Sequence, residues 1–175
     1  LNIEGFYYLY IGSHHEAINN ISKALRILIE IPDYYIYLHS SALLSEALIQ
    51  QKQLEHANTT LKKSKNIMKK HKLIGPFVCG IVVKEARLAT LQYRQTHSEK
   101  DRRRAKRACA IALQKSKIFR NYYPEALVAK ASLDYLSGGK VYRSFFQESL
   151  SFSESLGSNL HCSFVKREMK NLLGE

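Results

Sequence analysis

One three-residue pattern recurs along this chain and restricts its fold more than any other feature. A residue is followed four positions later by a larger apolar or Cys residue, and three positions after that by a small one. The instances are Ala17/Ile21/Ala24, Ala57/Leu61/Ser64, Ala105/Cys109/Ala112 and Tyr142/Phe146/Ser149, starting 40, 48 and 37 residues apart. Spacings of three and four place each trio on one stripe of a helix. There the small residues let a second helix axis approach and the larger one fills the gap. A lone helix pair cannot bury such a stripe, so a repeat of this length predicts stacked pairs. With 8 Gly and 3 Pro in 175 residues, turn residues are too few for a many-stranded sandwich or barrel.

Helical periodicity runs through most of the chain, and strand-like alternation is nearly absent. The spacing predicts helices near residues 3–10, 14–31, 34–51, 54–72, 77–94, 101–119, 124–136, 142–156 and 159–173. Ser13 and Glu16 have the spacing of a capping box, and Ser98 with Asp101 offers another helix start. Gly75-Pro76, Gly138-Gly139 and Gly157 punctuate the pattern. These elements group into units at about 1–32, 34–72, 76–120 and 124–157, with 159–173 as a capping helix. The expected fold is therefore all-α, about nine helices arranged as a solenoid of antiparallel pairs in a single domain. Because the chain starts at Leu1 rather than Met, a piece of a larger protein is expected.

The formal charge of +12 is unevenly spread. Residues 1–60 carry 3 Lys/Arg against 6 Asp/Glu, residues 61–120 carry 18 against 3, and residues 121–175 carry 6 of each. The middle third therefore holds the basicity, in two runs. Lys62, Lys63, Lys69 and Lys70 belong to the first, and Arg102, Arg103, Arg104 and Arg107 to the second. If their helices are neighbours, they make one basic patch that attracts an acidic protein, nucleic acid or another anionic surface. Few aromatic residues interleave with the charges, and no base-reading register is visible. Any nucleic-acid binding is therefore expected to be non-specific.

Catalytic chemistry has little support in the sequence. His14 and His15 are adjacent and point about 100° apart on a helix, which suits no metal chelation. Gly138-Gly139-Lys140 lacks the upstream Gly and following Ser/Thr of a phosphate loop. Cys79, Cys109 and Cys162 sit in apolar helical contexts as packing residues, and three cysteines without paired spacing suggest a reducing compartment. No apolar run reaches membrane-spanning length. The expectation is a non-catalytic, cytoplasmic module without metal or cofactor. Its eleven Tyr, crowded at positions 7, 8, 10, 34, 35 and 37, offer contact surface for a peptide or protein.

The repeat resembles the tetratricopeptide family. Gly5, Tyr8, Gly12, Ala17, Ile21 and Ala24 fall at that motif's spacing with Pro32 slightly late, and Leu44, Ser45, Leu48, Ala57, Leu61 and Ser64 repeat it. The long intervals, and the stretch SFFQESLSFSESLG from Ser144 to Gly157, are similar to degenerate repeats in sensor regions of bacterial signal-transduction ATPases, cyclases and maltose-activator-type regulators. The resemblance implies a right-handed superhelix whose concave groove is lined by the first helix of each pair. In this chain that groove would carry Phe6, Tyr10, His39, Glu46 and Ile49. It implies a protein-interaction scaffold within a larger signalling protein. The alternative function is binding of nucleic acid or another anionic surface through residues 62–72 and 100–107.

Overall fold

The structure is a computed structural model and describes residues 1–174. Among them are nine α-helices and no strand. They are α1 (Asn2–Tyr10), α2 (His14–Glu30), α3 (Tyr34–Gln50), α4 (Leu54–Lys70), α5 (Pro76–Thr96), α6 (Glu99–Ser116), α7 (Tyr123–Leu136), α8 (Tyr142–Ser155) and α9 (Asn159–Leu173). The expected all-α fold of consecutively paired helices is what the structure shows. One short 3-10 turn, Arg120–Tyr122, precedes α7 and lay outside the sequence reading. The described residues divide into two compact units, Leu1–Leu88 and a second from Ala89 onward.

Local chemistry sets the helix limits. The Ser98 hydroxyl accepts from the Asp101 backbone N–H at 3.1 Å, so α6 begins at Glu99, two residues before the expected start. Asp33 caps α3 by accepting from the Ile36 N–H at 3.0 Å, and Ser158 caps α9. The expected box at Ser13 does not form, since the Ser13 N–H donates to the Tyr8 carbonyl at 2.8 Å instead of to Glu16. The Ser13 hydroxyl donates to Glu16 Oε2 at 2.8 Å, while no side-chain bond caps the α2 backbone. Gly157, at φ +64°, takes the left-handed conformation that lets the chain leave α8.

Within the first unit, α1 packs on α2, α2 on α3 and α3 on α4, and α1 also lies against α3. The second unit repeats this scheme, with α7 on α8, α8 on α9 and α7 against α9. Contact between alternate helices is the signature of stacked pairs rather than of isolated hairpins. All four trios point into these seams. Every member is buried except Tyr142, which is half-buried against the core and meets Tyr135 edge-on at 5.1 Å between ring centroids. Ser149 adds a polar stitch, its hydroxyl donating to the Pro124 carbonyl at 2.9 Å.

Gly5 shows how close these axes come. A Cβ built there would press into Ile21 Cγ1, with Ile21 Cδ1 at 3.2 Å and the Ile21 backbone N at 3.5 Å. Gly5→Ala is therefore expected to destabilise the first unit by about 1–2 kcal/mol, overpacking outweighing the gain in helix propensity. Ile21→Ala costs stability by itself but makes room for that methyl. A double-mutant cycle followed by urea denaturation should show the two losses combining to less than their sum. Strict additivity would mean that Gly5 does not touch Ile21.

Candidate functional site

The basic helices carry their charges differently in the two units. On α4, Ala57, Leu61 and Ser64 face inward, leaving Lys62, Lys63, Lys69 and Lys70 exposed. Lys65 pairs with Glu85 of α5 at 2.7 Å. On α6, Ala105, Cys109, Ala112 and Ser116 face inward, and Arg102, Arg103, Arg104 and Arg107 are exposed. The Glu99 carboxylate accepts from Arg102 Nε at 2.5 Å and Arg102 Nη2 at 3.0 Å, and from Arg103 Nε at 3.0 Å. These hydrogen bonds and the adjoining positive charges hold Glu99 down at about 2. Arg104 donates to Gln92 at 3.0 Å.

The expected groove residues have separate environments. Phe6 and Tyr10 lie on α1, 45% and 63% exposed, on the side away from the buried Gly5. Ile3 and Tyr7, at 85% and 57%, extend the same face, so α1 offers solvent an almost wholly apolar and aromatic surface. The Asn2 amide donates to Ser40 Oγ of α3 at 2.7 Å and its carbonyl accepts from the same hydroxyl at 3.0 Å. That bond fixes α1 against α3, with Phe6 one turn farther along α1 and His39 beside Ser40. His39 is half-buried, its ring 5.3 Å from Phe77 of α5 between centroids. Burial lowers its pKa below the usual imidazole value, so it is neutral at pH 7.

Glu46 and Ile49 are buried and do not open onto solvent. Lys84 Nζ of α5 approaches Glu46 Oε2 at 3.0 Å, Arg87 donates to both carboxylate oxygens, and Gln50 Nε2 donates to Oε1 at 2.8 Å. Burial pushes the Glu46 carboxyl up, yet the Arg87 and Lys84 charges and these hydrogen bonds outweigh it and hold the group well below the usual range. Glu46 thus serves as an internal tie between α3 and α5. The aromatic neighbourhood of His39 was not read from the sequence. Phe77 stands against His39 and also meets Tyr35, 6.4 Å away between ring centroids, and Tyr34 stacks on His71 at 3.8 Å. Only the run Tyr34–Tyr37 hinted at it, because Phe77 comes some forty residues later.

Other chemistry is sparse. Burial raises the Cys109 thiol to about 11, where it lies 3.7 Å from the Thr90 hydroxyl, so it is no nucleophile at pH 7. No group of three or more His, Cys, Asp or Glu among the described residues is placed to hold a metal ion. Nor is any described helix long and apolar enough to cross a membrane. The fold and surfaces define an all-helical protein of paired, stacked helices with an exposed aromatic face. No family model matches the chain, and no curated protein or solved structure is similar enough to match it.

Proposed function

We propose that this chain is a non-catalytic protein-interaction module of the tetratricopeptide-like kind, acting as the sensor or regulatory region of a larger signalling protein. The observation that carries this reading is the exposed face of α1, where Phe6 and Tyr10 stand beside Ile3 and Tyr7. Large aromatic side chains with few rotatable bonds lose little entropy on contact and supply most of the binding energy of protein interfaces. The second support is the packing of alternate helices, which gives such a face a rigid base.

Recovery of partners from lysate of the source cell, with and without nuclease and at low and high salt, tests this reading. A protein partner that withstands nuclease and high salt is expected. Replacing Phe6 and Tyr10 together with Glu should weaken its capture about thirtyfold or more while leaving the helical circular dichroism intact, the loss expected if even one of them is an interface hot spot. Recovery of nucleic acid alone, lost as salt rises, would transfer the function to the basic helices.

A further inference from the structure

We infer that the outward ridge of α6 is a docking site for an acidic segment of a partner protein, one that carries an apolar residue beside its carboxylates. Opposite the buried Ala105, Cys109, Ala112 and Ser116, the exposed residues Lys100, Arg103, Arg107, Ala110, Ile111 and Gln114 lie within about 100° of arc. At 1.5 Å per residue the ridge is about 21 Å long, which an extended segment of six or seven residues spans. Its first half is basic. Its second half carries an aliphatic side chain, Ile111, which is 47% exposed.

Three observations select the partner's chemistry. First, α6 favours Arg where α4 uses Lys throughout its run. A guanidinium binds carboxylates in a planar, two-pronged geometry, whereas a lysine ammonium is a strongly hydrated point charge suited to a solvated face. Second, Glu99 already demonstrates that chemistry within the chain by gripping Arg102 and Arg103 together. Among the described residues no ion pair engages Arg107, which is exposed one turn beyond Arg103, so its guanidinium remains available to a carboxylate from outside. Third, the ridge holds no aromatic ring on which a base could stack, and Ile111 lies one turn beyond Arg107. Single-stranded nucleic acid gains nothing from an aliphatic residue there, whereas a peptide with a Leu or Phe about one turn past its carboxylates does. The site lies in the second unit and is independent of the α1 face.

Fluorescence anisotropy on the full chain tests the assignment with three labelled probes: a synthetic peptide with a run of Glu followed by Leu and Phe, the same Glu run alone, and an oligo-dT strand. The mixed peptide should bind most tightly. Arg103→Glu with Arg107→Glu should weaken it about tenfold or more. Ile111→Ser should weaken it about fivefold while leaving the Glu-only peptide unchanged. Lys62→Glu with Lys69→Glu on α4 should alter it less than about twofold. An unchanged thermal midpoint identifies variants that keep the fold. The proposal is overturned if the mixed peptide fails to bind, if Ile111→Ser changes nothing, if the α4 reversals cost as much as the α6 ones, or if oligo-dT binds more tightly than either peptide.

Discussion

Glu46→Ala destabilises the protein by about 3–5 kcal/mol, the usual consequence of removing the acid from a buried ion cluster. The carboxylate sits between α3 and α5 with Lys84 on one oxygen and Arg87 on both, and all three residues are buried. Its loss leaves two interior cations short of the charge that offsets their dehydration. The dependence on pH has a definite sign. The Glu46 carboxyl is held well below its unfolded value of 4.5. Its contribution is therefore fully present above pH 4.5 and is lost as the pH falls through the depressed folded value. Glu46→Gln preserves the shape and removes the charge. Urea midpoints at neutral pH and near pH 3 should show the gap between wild type and Glu46→Gln narrowing in acid. A gap that stays constant across that range would mean that the Glu46 charge does not hold α3 to α5.

The same residue marks where sequence reasoning stopped. Periodicity assigns a side chain to a face of its own helix, and it put Glu46 and Ile49 on the face of α3 that also bears His39. It does not say which later helix covers that face. Lys84 and Arg87 lie some forty residues away, and nothing in their local pattern names Glu46 as their partner. Phe77 escaped for the same reason, although it stands against His39. The elements themselves were far more legible because their causes are local. Ser98 fixes the start of α6, Gly157 ends α8 with a positive φ, and the trios of small and large residues predicted seams that are indeed buried. Charge was legible as a total along the chain but not as a surface. The inward stripe of Ala105, Cys109 and Ala112 could be read locally, but that Glu99 would engage both Arg102 and Arg103 could not.

Phe146→Ala is expected to cost about 3–5 kcal/mol, the range for deleting a fully buried aromatic ring that cannot be replaced by collapse of its surroundings. Phe146 is wholly inaccessible in a core cluster with Val128, Ala131, Phe164 and Val165, and Tyr142, Leu150 and Met169 pack around it. Three different helices, α7, α8 and α9, supply that shell, so filling the hole would require several seams to shift together. The variant also tests the repeat, because Phe146 occupies the register position held by Ile21, Leu61 and Cys109. All four are buried to the same degree. Truncation to Ala should then follow the number of atoms removed: Phe146 largest, Ile21 and Leu61 at about 2–4 kcal/mol, and Cys109 at about 1 kcal/mol. Urea midpoints of the four variants give the order directly. A Phe146→Ala loss below that of Cys109→Ala would break the equivalence of the positions, and with it the claim that one packing rule, repeated with different side chains, builds both units.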